Sequence, residues 1–205
     1  MTIKTTITVS ALEAVSLFVD KKSGLLRWRT DGIFCDVLPG ETRLVATDGY
    51  CLAIYRFPQE NEITGSAIIP VDVIKYFKKW KGAVVDLVIK DRRLTFIHSG
   101  HEEEVQFASI EGRFPEYGSI LPMIESEAKN TYYNPTALLR FEKAAKILMS
   151  RDKDLNFYSL CKLYPNGDNA VVEMLGDDNF TGMVMSYKLT EEYKEKKLNT
   201  WWKLG

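Results

Sequence analysis

Cysteine is scarce in this chain: Cys35, Cys51 and Cys161 are the only three, an odd number at wide spacing. That pattern suits reduced thiols in the cytosol better than a disulfide framework. No apolar run approaches the ~18 residues that cross a bilayer, and the stretch Ile7 to Val19 is broken by Glu13, with neither a basic start nor a cleavage site. A membrane or secreted protein is not expected; the expected compartment is the cytoplasm. Neither sign of charge dominates, with 27 Lys and Arg against 28 Asp and Glu. Any attraction for nucleic acid must therefore come from where the cations lie. Motifs for bond chemistry are missing as well: there is no Ser/His/Asp set, Gly-rich phosphate loop or Cys-x-x-Cys. An enzyme is disfavoured and no cofactor is implied. Both histidines, His98 and His101, lie in one segment with Glu102, Glu103 and Glu104, but no cysteine is near. The segment reads as an exposed charged hairpin rather than a metal site.

What is present is ordinary globular material, 45% hydrophobic and 27% charged, which excludes disorder and low complexity. A chain of this size buries roughly 70% of its unfolded surface and holds a core without staples. Ser10 to Val19 carries Ala11, Leu12, Val15, Phe18 and Val19 at helical spacing, with Ser10 as cap. Strand patterns follow at Leu25 to Arg29, Phe34 to Leu38, Arg43 to Thr47 and Cys51 to Phe57, with Asp48-Gly49 as a tight turn. The order then begins again. Ala67 to Ile69 reads as a strand, Pro70 opens a helix with Val73, Ile74, Phe77 and Trp80 on its apolar face, and strands recur at Val84 to Lys90, Leu94 to His98 and Glu104 to Ser109. A third round starts at Pro135, with Leu138, Phe141, Ala145 and Leu148 facing a core and strands near Leu155 to Leu163, Ala170 to Leu175 and Phe180 to Tyr187. The repeating unit is strand, helix, three strands. Phe114 to Pro135 has four prolines or glycines and little periodicity, so it reads as a linker with a domain boundary near Glu125.

Two segments carry a resemblance: Leu44-Val45-Ala46-Thr47-Asp48-Gly49-Tyr50-Cys51-Leu52-Ala53, and Glu111-Gly112-Arg113-Phe114-Pro115-Glu116-Tyr117 running on to Ile120-Leu121-Pro122. In this order and separation the chain resembles the bacterial replicative sliding clamp, the DNA polymerase III beta subunit. The similarity covers that family's central domain over residues 1 to about 122 and, more weakly, the start of its third domain through Leu138 to Tyr187; its first domain has no counterpart. The resemblance implies an α+β fold of the DNA-clamp kind, repeated β-α-β-β-β units with helices on one face of curved antiparallel sheets. Residues 1 to 125 would form one clamp-like domain of two units, and 126 to 205 a partial one. Thr190 to Gly205 is either the helix of a fourth unit or a tail ending in Trp201 and Trp202.

A clamp holds duplex DNA without bond chemistry, through Lys and Arg aimed at phosphates. The helical patterns offer such residues: Lys75, Lys78 and Lys79 opposite Phe77 and Trp80, then Arg140, Lys143 and Lys146 opposite Phe141 and Ala145. A solvated helix face gives the same pattern. The first helix has only Glu13 and Ser16, leaving Lys21 and Lys22 in the following loop. The resemblance adds Arg27 and Trp28, from a basic-then-aromatic segment that touches DNA in the family; packing of Trp28 between helix and sheet is the alternative. It also implies a groove for a linear peptide of a polymerase or other partner, formed by Thr30, Thr47, Gly49, Tyr50, Cys51, Leu52, Pro115, Ser119 and Ile120. Tyr50, Cys51, Ser119 and Thr30 depart from the family's usual residues, and the C-terminal strand that closes the family's groove has no evident match. The function implied is a homo-oligomeric processivity factor on double-stranded DNA, serving a polymerase and a clamp loader, from a phage, prophage or divergent bacterium. Phe180 to Tyr187 is the expected free edge between subunits. The alternative is a non-encircling interaction module of the same fold.

Overall fold

The computed structural model describes residues 1–20, 28–99, 103–119, 132–149 and 161–187. Lys21, Lys22, Arg27, Ile120, the boundary near Glu125 and the segment from Thr190 onward lie outside them.

Strand β1 (Thr2–Thr8) alternates buried Ile3, Thr5 and Ile7 with outward residues, as a half-buried strand must. It runs directly into helix α1 (Val9–Ser16), whose N-cap is Thr8, its hydroxyl accepting from the Ala11 N–H at 3.2 Å. The cap is thus Thr8 and not Ser10. Both are capping residue types, and the end of β1's ladder decides between them. Strands β2 (Gly32–Val37), β3 (Glu41–Thr47) and β4 (Cys51–Pro58) follow. The strand expected over Leu25 to Arg29 is not formed at Trp28 and Arg29, which are irregular.

The second unit repeats this order with β5 (Gly65–Pro70), a 3₁₀ helix (Val71–Trp80) capped at Pro70, β6 (Val84–Lys90), β7 (Arg93–His98) and β8 (Glu104–Ala108). Asp91 and Arg92, both with positive φ, close the β6–β7 hairpin. The third unit supplies α2 (Pro135–Leu148), β9 (Cys161–Asn166), β10 (Asn169–Met174) and β11 (Asp177–Met185). Asn134 caps α2 through the Thr136 N–H at 2.9 Å, with proline at the first turn, where its missing N–H costs nothing. The strand expected near Leu155 to Leu163 begins only at Cys161 among the described residues, and Tyr187 lies beyond β11 as an isolated bridge to Tyr132.

All pairing is antiparallel. One sheet has the order β1-β6-β7-β8, the other β5-β2-β3-β4-β11-β10-β9. Each of the first two units lends its first strand to the sheet of the other, which locks them into one body. A polar latch ties the sheets together: Gln59 Nε2 donates to Thr5 Oγ1 at 3.0 Å and to the Thr6 carbonyl at 2.9 Å. The third unit joins by main chain, β11 pairing with β4 from Phe180↔Tyr55 to Val184↔Cys51. Phe180 to Val184 is therefore no free edge. It is bonded to β4 on one side and β10 on the other, because its apolar alternation finds buried neighbours on both.

The main core lies between the two sheets and under the helices. Phe18 meets Phe141 of α2 at 4.8 Å and Phe180 of β11 at 6.3 Å between ring centroids, and α1 packs against both α2 and the 3₁₀ helix. Helices α1 and α2 and the Val71–Trp80 helix thus share one side of the molecule. A second cluster covers the opposite face of the larger sheet, where Val45, Leu52, Ile54 and Met183 meet Phe114 and Tyr117. Phe114 stacks on Phe34 at 4.9 Å, and the Tyr117 hydroxyl donates to Asp36 at 2.7 Å. The start of the expected linker is therefore a packed strap, because its aromatic residues find an apolar sheet face beneath them.

Candidate functional site

The β3–β4 turn is built by its own side chains. Asp48 Oδ1 accepts from the N–H groups of Tyr50 (2.9 Å) and Cys51 (2.8 Å). Thr47 donates to the Cys51 carbonyl at 2.7 Å and accepts from Gly49 N–H at 3.1 Å. Gly49 takes a φ of +84° that a side chain would resist. This turn projects Tyr50, 65% exposed, beside a cleft of about 370 Å³. Thr30, Thr47, Gly49, Tyr50, Cys51 and Pro115 line it, as do Asp20, Trp28 and Asp48. Its remaining wall is Met183 and Met185 of β11, held against the turn by the Met185 N–H bond to the Tyr50 carbonyl at 2.8 Å. A strand of the third unit, β11, thus closes this cleft.

Two expected groove residues sit elsewhere. Leu52 is 2% exposed and belongs to the cluster under Phe114 and Tyr117, which cover it. Ser119 is in a short 3₁₀ turn (Tyr117–Ser119) and does not line the cleft. The methionines and Asp20 were missed, although Met183-Val184-Met185 carries a local signal: two flexible, polarizable side chains two apart on one strand face. Burial, then nearby Asp48, pushes the Cys51 thiol up to about 11. At neutral pH it is a thiol, an apolar lining group rather than a nucleophile.

On the helix side, Val73, Phe77 and Trp80 of the 3₁₀ helix are buried, and Lys75, Tyr76, Lys78 and Lys79 are exposed. Lys75 pairs with Asp72 at 2.7 Å, and Lys79 with Glu103 at 2.8 Å, the carboxylate that also accepts from Trp80 Nε1 at 2.9 Å. On α2, Lys146 pairs with Glu142 one turn back, and Arg140 with Asp48 of the β3–β4 turn. Lys78 and Lys143 are exposed and make no ion pair among the described residues. Trp28 is 37% exposed and lines the cleft instead of filling the core. Near it, Arg29 grips Asp31 by two bonds, 2.9 and 2.7 Å, which holds the Asp31 carboxyl below its usual range.

No protein-family model matches the chain, and no curated protein matches it. Solved structures do. The DNA polymerase III subunit beta of Pseudomonas aeruginosa superposes with a TM-score of 0.67 at 15% identity, covering 91% of this chain and 66% of that one. The beta subunit of Thermotoga maritima gives 0.62 at 14% identity, covering 92% and 66%. That of Borrelia burgdorferi gives 0.60 at 15%, covering 91% and 63%. The chain has the sliding-clamp fold and spans about two thirds of the length of these clamps.

Proposed function

We propose that the protein is a sliding-clamp-like processivity factor of DNA replication, whose copies assemble around duplex DNA with the helices toward the duplex. The observation that carries this reading is the β4–β11 ladder, which continues one sheet from the first domain into the third unit while all three helices stay on the other side. An outer wall that continues from unit to unit, with helices behind it, is what an encircling body requires. The clamp fold of the structural neighbours supports it. The protein does no bond chemistry. It works in the cytoplasm, on DNA without regard to sequence, with a polymerase as client and a loader to open the assembly.

The existing ion pairs on the helices do not oppose this. Exposed pairs such as Lys75–Asp72 are screened by solvent and contribute little, so a phosphate can displace the carboxylate. Arg140 differs: Asp48 is only 12% exposed, and its role is to tie α2 to the cleft. Lys78 and Lys143 carry the largest share of phosphate attraction, with Lys75, Lys79 and Lys146 second. The cleft takes the linear peptide of the client, its two methionines and Tyr50 supplying an adaptable apolar surface.

Retention on DNA tests the reading. The protein is expected to stay on nicked circular DNA and to leave the same molecule once linearised. Equal retention on both refutes encirclement and favours a non-encircling module. For the cleft, Met185→Asp and Tyr50→Ala should each abolish capture of a clamp-binding peptide while the melting temperature holds. Leu52 is unsuited to this test, because a charge there breaks the core.

A further inference from the structure

The chain leaves the described residues beside the cleft. Strand β11 supplies the cleft wall with Met183 and Met185, and two residues later Tyr187 makes its bridge to Tyr132. Tyr187 also lines a smaller pocket that shares Asp48, Tyr50, Cys51 and Met185 with the cleft. Residues 188–205 follow from that point and carry Trp201 and Trp202 side by side. We propose that this segment is an occupant of the cleft: the tryptophan pair docks on the methionine wall of its own chain, and a client peptide has to displace it. This rests on the reading of the cleft as a peptide site.

Reach and chemistry agree with this. Thirteen residues lie between Tyr187 and Trp201. They would span about 20 Å if wound as a helix and about 45 Å if extended, and either length exceeds the few side chains that separate Tyr187 from the cleft. The cleft holds about 370 Å³, within the range of roughly 300 to 1,000 Å³ that bound apolar groups occupy. An indole buries about 150 to 250 Å², and the thioethers of Met183 and Met185 can meet its ring edge favourably. The surface on the way is apolar too: Tyr50 and Tyr187 are more than half exposed, with Met185 between them. Charge does not oppose docking. The charged groups among the described lining are Asp20 and Asp48, the latter paired with Arg140, and Lys203 stands next to Trp202.

Tethering sets the size of the effect. A link of this length gives an effective concentration on the order of 1 mM. A segment that binds at ~0.1 mM when free would then fill about nine clefts in ten and weaken a competing peptide about tenfold. A client with one weak apolar anchor is turned away, whereas one that brings several anchors displaces the tryptophans.

Photochemical cross-linking of the full chain tests the docking directly. With Trp201→p-benzoylphenylalanine, which keeps an aromatic group in place, illumination should join position 201 to Met183, Met185 or Tyr50 in a product of monomer mass. A cross-link elsewhere, or none, overturns the proposal. A product of twice that mass gives the segment to the cleft of a second copy and overturns docking within one chain. Competition is the second measurement. A labelled peptide of residues 196–205 should bind the Trp201→Ser, Trp202→Ser protein about tenfold more tightly than the parent, and Met185→Asp added to that variant should abolish binding. Equal affinity for parent and variant overturns the proposal. A clamp-binding peptide in excess should suppress the cross-link. A cross-link to the cleft that this peptide leaves untouched refutes the client reading and leaves the docked segment standing. Capture of the clamp-binding peptide equally by parent and double variant, with no cross-link, does the reverse.

Discussion

Gly182 sits where the third unit meets the first, and replacing it by alanine tests the account of that join. It lies on β11 between Ala53 of β4 and Val172 of β10, so the backbone has no free side toward which to move. A Cβ built there would run into the ring of Phe141, overlapping Cε1 and coming within 3.0 Å of Cδ1 and 3.1 Å of Cζ. That ring is 1% exposed and wedged against Phe18 at 4.8 Å, so it cannot swing aside. Overpacking of this kind costs about 1 to 3 kcal/mol. Against it stands the entropic gain of Gly→Ala in the unfolded chain, about 0.4 to 1 kcal/mol. The steric term wins, and Gly182→Ala should destabilise by roughly 1 to 2 kcal/mol, or about 2 to 8 °C in melting temperature for a chain of this size. Urea unfolding and calorimetry measure it. In a Phe141→Leu background the added cost of Gly182→Ala should fall below about 0.5 kcal/mol, a coupling that a double-mutant cycle reads directly. A Gly182→Ala protein as stable as the parent would refute the packing described at this join.

Burial and the hydrogen bond to Asp36 push the Tyr117 hydroxyl up to about 12, and burial with nearby Asp177 does the same for Tyr55. Both are raised in the folded state, so their contribution is intact below the ordinary tyrosine value near 10 and is lost as pH rises through about 12. Melting temperature should fall over that window, and Tyr117→Phe should flatten the fall. Thr8→Ala removes the cap of α1 and should cost about 1 kcal/mol in urea unfolding; no loss would show that β1 alone positions the helix. Lys78→Glu with Lys143→Glu should lower DNA affinity and make its salt dependence shallower, while Lys75→Glu should do less. Equal effects from all three would show that the ion pairs do not rank the cations.

Local chemistry made parts of this molecule legible. Asp48-Gly49 is a turn whose backbone bonds are supplied by neighbouring side chains, and Asn134-Pro135 opens α2 with a cap and a proline at its first turn. Strand alternation in β8 placed Val105 and Phe107 inward for the same reason. The repeated order of strand, helix and three strands follows from such signals, while the α+β clamp fold came from the resemblance. What pairs distant segments was not legible. Nothing near Phe180 announces that β11 will bond to β4, and so the methionine wall of the cleft was missed and a free edge expected in its place. Nor does periodicity separate 3₁₀ from α at Val71–Trp80, where Val73, Phe77 and Trp80 satisfy an α-helical reading of a segment whose backbone is 3₁₀. Leu52 was missed for a like reason: the strap of Phe114 and Tyr117 that covers it comes from a distant segment.

The β4–β11 junction is made by peptide groups and backed by the Phe18–Phe141–Phe180 triad. One wall of the methionine-lined cleft comes with it, so loosening that ladder should cost peptide capture before it costs the fold of the first two units.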